Sequence, residues 1–212
     1  HMADMPKQSI YYFKKKIELD INQSAEEQDF FSLSWSYFGM GRSYAKLGEY
    51  DRALEYFEKA IGIQDLPAFH AERGEFYFVK LGNFEKAARD YEKAISLSYK
   101  SNNLINVGLF TIRLFETYFA QNDFIKSLQI INKFIFENEY SGTAKNTDLI
   151  VAYLNRIQVF KKLKINDLVC EDLNKIKELQ RTSTTNKERI NNYLIKEKIM
   201  SESKIFIEDC IN

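Results

Sequence analysis

The segment LGEYDRALEYFEKAI, residues 47–61, is nearly repeated as LGNFEKAARDYEKAI at residues 81–95. Matching positions are 34 residues apart, as between Ala53 and Ala87 or between Phe57 and Tyr91. A fixed offset of this length, with small and aromatic residues at helical spacing, is typical of stacked helix-turn-helix units. The two segments therefore predict a solenoid of helix pairs.

The composition agrees with long helices. The chain has 212 residues, of which 45% are hydrophobic, so it can bury a substantial core. Only 2 prolines and 8 glycines are present, and both residue types disfavour helix interiors. We expect an all-α fold with short connections.

Charge, cysteine content and hydropathy limit the possible partners. Thirty basic and thirty acidic residues cancel, so no global field attracts nucleic acid or an anionic membrane. Neither a signal peptide nor a membrane-spanning run is found in the sequence. The two cysteines, Cys170 and Cys210, lack metal-site spacing and do not indicate a disulfide framework. We therefore expect a cytoplasmic protein without metal or cofactor.

The repeat residues carry a family resemblance. With Gly41, Tyr44, Gly48, Ala53 and Ala60 at their positions, the chain resembles the tetratricopeptide repeat family. The resemblance implies a right-handed α-α superhelix of antiparallel helix pairs with terminal capping helices. A small residue such as Gly41 lets the two helices of a pair approach closely.

The repeat pattern also predicts the organisation of the chain. Glu75 occupies a place where the family prefers glycine, and the third unit carries about six extra residues by this alignment. We expect a tag remnant or disordered start at 1–5, a capping helix or truncated repeat at 6–24, an array at 25–183, and a capping helix with a tail at 184–212. The array units are expected near 34–67, 68–101, 102–145 and 146–183.

The resemblance implies a binding groove lined by the first helix of each pair. Carried over position by position, it gives an aromatic groove with scattered charges. The predicted groove residues are Trp35, Phe38, Arg42, Lys46, Phe69, Glu72, Arg73, Phe76, Lys80, Leu109, Ile112, Arg113 and Glu116. Such a lining suits a peptide or a helical segment with apolar anchors and a few acidic groups.

Structural interpretations of these residues remain open. Aromatic residues at helical spacing are often core, so Trp35, Phe38 and Phe69 could be covered by the chain's own terminal helices. The arginines could instead pair with a neighbouring Glu72 or Glu116. The lysine and asparagine pattern of the family's carboxylate clamp for chaperone tails is not matched, so a chaperone-tail receptor is not expected.

No residue pattern indicates catalysis. His70 is the only internal histidine, it has no nucleophile motif around it, and we interpret it as a surface or packing residue. The leading hypothesis is a protein-interaction module, an adaptor or scaffold that is not an enzyme and binds a protein or peptide ligand. Two alternatives are a peptide-sensing regulatory repeat protein and a self-associating structural repeat protein that forms a homodimer.

Overall fold

The computed structural model describes residues 5–22, 29–141 and 146–182. Within these ranges all regular secondary structure is helical, which confirms the predicted all-α class. A short 3₁₀ turn at Leu104–Asn106 precedes α6. The helices are α1 (Met5–Ile21), α2 (Phe30–Leu47), α3 (Tyr50–Ile63), α4 (Pro67–Val79), α5 (Phe84–Lys100), α6 (Val107–Ala120), α7 (Phe124–Ser141), α8 (Asn146–Leu163) and α9 (Asn166–Thr182).

The chain divides into two compact units, His1–Leu104 and Ile105–Asn212. The first unit contains α1 to α5 and the second contains α6 to α9. A helix expected within 6–24 is found as α1, which packs against α2. The expected helix at 184–212 lies outside the described residues, as do residues 1–4 of the expected tag remnant.

The repeated Leu-Gly motif ends the first helix of each pair. Gly48 has φ 80° and Gly82 has φ 59°, a left-handed conformation that strains any residue with a Cβ atom. In the second turn Asn83 then caps α5, because its side chain accepts a hydrogen bond from the Lys86 amide at 3.0 Å. Short turns of this kind join α2 to α3 and α4 to α5 as helical hairpins.

The core of the first unit is built from the repeated small and aromatic residues. Ala53, Phe57 and Ala60 of α3 are buried and pack with aromatic residues of α2 and α4. A Cβ atom added to Gly41 would lie 2.7 Å from the Phe57 ring, so the glycine is what allows α2 and α3 to approach this closely. The predicted role of Gly41 is therefore observed.

Helix α1 covers the other side of α2. Its Ile17 packs with Leu33 and Met40 of α2 in a separate buried cluster. The Phe13 ring lies directly over Gly39, where an added Cβ atom would approach it to 2.3 Å. Helix α1 therefore packs on the α2 surface that carries Leu33, Gly39 and Met40.

The second unit has a larger apolar core of its own. Consecutive helices pack against one another, and α6 also contacts α8. A buried ion pair joins α8 to α9, where Arg156 donates to both carboxylate oxygens of Asp172 at 2.9 and 2.5 Å. The buried cluster consists of Phe115, Ile131, Phe134, Ile135, Ile150, Ala152, Tyr153, Leu154, Ile157, Val159, Phe160, Val169 and Ile176.

Candidate functional site: the face between α2 and α4

Aromatic rings join α2 to α4 near the N-terminal ends of both helices. Trp35 packs edge-on against Phe38, with ring centroids 5.4 Å apart, and against Phe69 of α4 at 5.0 Å. Phe38 and Phe69 stack at 4.7 Å and are buried, whereas Trp35 remains 38% exposed. Phe31, one turn earlier, is exposed and its ring centroid lies 6.0 Å from that of Trp35. This end of the face therefore presents Phe31 and Trp35, supported by two core rings.

An ion pair crosses the middle of the same face. Arg42 Nε lies 3.0 Å from Glu72 Oε1, and both side chains are about half exposed. The Arg42 guanidinium also lies over the Phe38 ring, 5.9 Å from its centroid. An exposed pair of this kind contributes only about 0–1 kcal/mol, so a partner's carboxylate can replace Glu72 with little loss of stability.

A cleft of about 620 Å³ opens where α2 and α4 end. Its apolar wall includes Phe76, which is buried, and Val79, which is 55% exposed. The Tyr50 ring packs edge-on against Phe76 at 5.5 Å and closes the side toward α3. The cleft is lined by Ala45, Lys46, Leu47, Gly48, Tyr50, Phe57, Glu72, Glu75, Phe76, Val79 and Lys80.

Some charged side chains of the cleft have an ion-pair or hydrogen-bond partner, and others do not. Glu72 is paired with Arg42, and Glu75 accepts a hydrogen bond from the Tyr91 hydroxyl at 2.8 Å. Lys46 and Lys80 are exposed, and within the part of the chain that the structure describes neither has an ion-pair partner. The cleft therefore offers two uncompensated positive charges beside an apolar wall.

Arg73 does not face the cleft. Its guanidinium donates to both carboxylate oxygens of Asp90 on α5, at 2.8 and 2.7 Å, and its side chain is only 18% exposed. Burial opposes ionisation of Asp90, but hydrogen bonds from Arg73 and His70 and their positive charges lower the pKa of Asp90 below its usual value. Arg73 thus joins the two helices of a hairpin.

The structure brings together only part of the predicted groove. Trp35, Arg42, Lys46, Glu72 and Lys80 share one accessible face of the first unit. Three predicted aromatic residues are core of that face, and their rings pack with residues of α2, α3 and α4. These three are Phe38, Phe69 and Phe76.

The remaining predicted residues belong to α6 in the second unit. Leu109 is 52% exposed and Ile112 is partly buried. Arg113 is paired with Glu116 one turn away at 2.8 Å, the pairing that the sequence left open as an alternative to ligand binding. That these four residues line a binding groove stays a prediction.

Tyr50 and Glu75 are among the cleft residues that sequence reasoning did not predict. Tyr50 follows the Leu-Gly-Glu turn directly, so its position after the repeat's glycine was a usable signal. Glu75 was noted only as a departure from glycine, and its hydrogen bond to Tyr91 could not be deduced from spacing alone.

Two chemically reactive residue types are held in structural contacts. His70 is buried, between Asp65 and Asp90. Cys170 on α9 is disulfide-bonded, so the expectation that the sequence indicates no disulfide is wrong for this residue. Neither residue is available as a nucleophile or base in this arrangement.

Across residues 5–22, 29–141 and 146–182, none of the helices combines the length and apolar character that crossing a bilayer requires.

Solved structures share this arrangement of helices. BtubC (BKLC) from P. vanneervenii superposes with a TM-score of 0.69 at 15% identity, covering 85% of this chain and 75% of that one. A Podosopora anserina protein described as a candidate kinesin light chain with nearly identical TPR-like repeats gives 0.65 at 13% identity, covering 87% and 91%. A single-substitution variant of that protein gives 0.64 at 12% identity, covering 84% and 88%. At these identities the likeness establishes the fold alone.

Sequence comparison with family models identifies repeats in the first unit. No curated protein matches the chain significantly. Tetratricopeptide repeat models match residues 34–64 and 69–101, the two hairpins α2–α3 and α4–α5 whose faces were described above. Repeats of this kind are generally protein-interaction modules and are typically not enzymes. The chain therefore contains two tetratricopeptide repeats, both in its first unit.

Proposed function

We propose that the face between α2 and α4 binds an extended peptide or helical segment of a protein partner, so that the chain acts as an adaptor or scaffold. The observation that carries this proposal is that the acidic side chains of the cleft have partners whereas its lysines do not. Glu72 and Glu75 already have partners, whereas Lys46 and Lys80 have none within the described ranges. The bound segment therefore carries an acidic group beside an apolar side chain.

The dimensions of the face support a short segment. A cleft of about 620 Å³ is in the range of about 300–1,000 Å³ that ligand pockets occupy. Val79 and Tyr50 provide apolar contact within it, and Trp35 with Phe31 extends the surface toward the other end of α2. Aromatic and arginine side chains supply much of the binding energy at protein interfaces, which suits Trp35 and Arg42.

A peptide-display selection followed by a binding titration tests the proposal. Random peptides are selected on the wild-type protein, and we expect enrichment of sequences that place Asp or Glu next to apolar residues. Trp35 is the only tryptophan of the chain and lies on the proposed face, so its fluorescence reports binding of the selected peptide.

Charge reversal then identifies the site. Replacing Lys46→Glu and Lys80→Glu together should weaken binding at least about tenfold, equivalent to about 1.4 kcal/mol. The control replaces Lys162→Glu and Lys164→Glu, two exposed lysines at the end of α8, which changes the net charge equally. Equal weakening in both variants, or none in the first, contradicts the proposal.

The two alternative functions stay predictions. Self-association through groove aromatics is not favoured, because Phe69 is fully buried within the unit and offers no surface to a second copy. Light scattering over a range of concentrations would detect a homodimer directly. A regulatory repeat protein would change its dimensions on binding the selected peptide, which small-angle scattering measures.

The cytoplasmic location also stays a prediction. Disulfide bonds persist mainly in oxidising compartments, so the redox state of Cys170 in the natively expressed protein tests this prediction. Alkylation of the natively expressed protein, with and without reductant, followed by intact mass measurement distinguishes the two settings.

A further inference from the structure

Helix α1 carries an exposed apolar stripe on the side that faces away from the first unit. Its opposite side packs Ile17 against α2. Met5, Tyr12 and Leu19 are 65%, 62% and 68% exposed. Residues seven apart on a helix differ by only about 20° in direction, so these three side chains form one line along α1. At a rise of about 1.5 Å per residue the line is about 21 Å long.

The same surface of α1 carries uncompensated positive charge. Lys7, Lys14 and Lys15 are exposed and, in the ranges that the structure describes, none of the three has an ion-pair partner. The Lys15 ammonium lies over the exposed Tyr11 ring, 5.8 Å from its centroid. Of the two carboxylates of α1, only that of Glu18 is exposed. The outer surface of this helix is therefore both apolar and basic.

Polar side chains within the stripe distinguish between two kinds of partner. Gln8 and Lys15 follow Met5 and Tyr12 by three residues each and lie on the same exposed side. A partner helix packed along this line would remove both polar groups from water, which costs free energy unless new hydrogen bonds form. At a lipid surface the long Lys15 side chain keeps its ammonium group in the aqueous headgroup layer while its methylene groups contact apolar neighbours. The surface therefore fits anionic lipid better than a second helix.

We propose that α1 binds the surface of an anionic membrane. The helix lies in the plane of that surface, with Met5, Tyr12 and Leu19 at the outer ends of the acyl chains and its lysines among the headgroups. Because the attraction is local, it is compatible with the zero net charge of the chain. The lipid surface lies on α1 and the proposed peptide face lies between α2 and α4, so the two are tested separately.

Co-sedimentation of the full-length protein with lipid vesicles tests the apolar contact. We expect binding to vesicles of phosphatidylcholine mixed with phosphatidylserine, and at least about tenfold weaker binding to phosphatidylcholine alone. Replacing Tyr12→Gln and Leu19→Gln together should weaken binding to the mixed vesicles at least about tenfold. The matched control, Ile105→Gln with Ile125→Gln, removes two exposed apolar side chains from the second unit and should leave binding unchanged.

Lysine substitutions test the electrostatic contact. Lys7→Gln with Lys15→Gln should weaken binding to the mixed vesicles at least about tenfold. Lys162→Gln with Lys164→Gln, near the end of α8, changes the net charge equally and should leave binding unchanged. All substituted side chains are exposed, so circular dichroism should show the same helix content in every variant.

Fluorescence then locates the contact on α1. Tyr12→Trp in a Trp35→Phe background places the single tryptophan on the stripe. Its emission should move to shorter wavelength on the mixed vesicles, and lipids brominated on their acyl chains should quench it. An unquenched tryptophan, equal binding to both kinds of vesicle, or equal weakening in a test variant and its control would each overturn the proposal. Full binding by Tyr12→Gln with Leu19→Gln would also overturn it, because charge alone would then account for the attraction. So would capture of an acidic protein by α1 without any binding to vesicles.

Discussion

At the scale of single residues, buried arginine–aspartate pairs join the two helices in two of the hairpins. Arg73 with Asp90 joins α4 to α5, and Arg156 with Asp172 joins α8 to α9. Removing one member of a buried pair leaves the other charge without compensation inside the protein. The two aspartates differ in their surroundings, because Asp90 also faces His70 whereas burial raises the pKa of Asp172 despite its arginine.

Removing the Asp90 carboxylate should therefore destabilise the first unit strongly. We expect Asp90→Ala to lower the free energy of unfolding by about 3 kcal/mol, because both Arg73 and His70 lose their partner. Urea denaturation at neutral pH measures this loss. The control Asp51→Ala changes an exposed carboxylate and should stay within about 0.5 kcal/mol of wild type. A loss in Asp90→Ala no larger than in the control would contradict the structural role of the pair.

The same carboxylate sets a dependence on acid. The pKa of Asp90 is lower in the folded protein than in the unfolded chain, so its stabilisation is present at neutral pH and disappears as the pH falls through the folded value. Wild type should lose more stability than Asp90→Asn between about pH 6 and about pH 3, because the amide side chain of the variant does not titrate. Denaturation curves over this range measure the difference. Equal losses of stability in wild type and Asp90→Asn would show that Arg73 and His70 do not lower the pKa of Asp90 in the folded protein.

Which residue pairs form was only partly predictable. Gly41, Ala53 and Ala60 follow from the repeat, because close packing of two helices dictates small residues at fixed positions. The pairing of Arg73 with Asp90 was not foreseen, since it depends on the rotation of α4 about its axis. A one-dimensional pattern does not fix that rotation, and Arg73 was therefore predicted to face the groove.

At the scale of helices, the close approach within each of the two hairpins of the first unit occurs at a glycine, but not at corresponding positions. An added Cβ atom at Gly41 would lie 2.7 Å from the Phe57 ring. In the next hairpin the near contacts are at Gly74, where an added Cβ atom would lie 3.3 Å from Ala87 O and from Tyr91. Counting 34 residues on from Gly41 leads to Glu75. The close contact of the second hairpin therefore lies at Gly74, one residue earlier than the repeat spacing predicts.

Two alanine substitutions separate packing from helix propensity. Gly41→Ala should destabilise the protein by about 1–3 kcal/mol, because the buried Phe57 ring has to move. Gly62→Ala is the matched control, since no heavy atom lies within 4 Å of its added Cβ. Alanine favours helix there and should stabilise by up to about 1 kcal/mol. Thermal denaturation of both variants measures the difference, and a stabilised Gly41→Ala would contradict the packing described for α2 and α3.

At the scale of the whole molecule, the two repeats that match tetratricopeptide repeat models lie in the first unit. The matches cover 34–64 and 69–101, and the first unit ends at Leu104. After Lys100 the spacing between matching repeat positions becomes longer than 34 residues. In the structure α5 has 17 residues, compared with 14 in α3, and the 3₁₀ turn Leu104–Asn106 follows it. The sequence predicted four units of one array. A division into two compact units depends on the pattern of tertiary contacts, which the offsets do not report.

Because the proposed site lies wholly within the first unit, that unit should function alone. A fragment of residues 1–104 contains the clusters around Phe57 and around Ile17 complete. We expect it to unfold cooperatively and to bind the selected peptide with an affinity within about threefold of the full chain, or about 0.7 kcal/mol. Circular dichroism and fluorescence titration measure both properties. A folded fragment that has lost binding would show that the second unit contributes to the site.

The most direct measurement of the central claim is the set of intermolecular nuclear Overhauser effects between the selected peptide and the labelled full-length protein. The account predicts contacts from the peptide's apolar side chain to Tyr50, Phe76 and Val79, with its acidic residue near Lys46 and Lys80. Contacts confined to α1, or to the exposed residues of α6, with none to the cleft would contradict it.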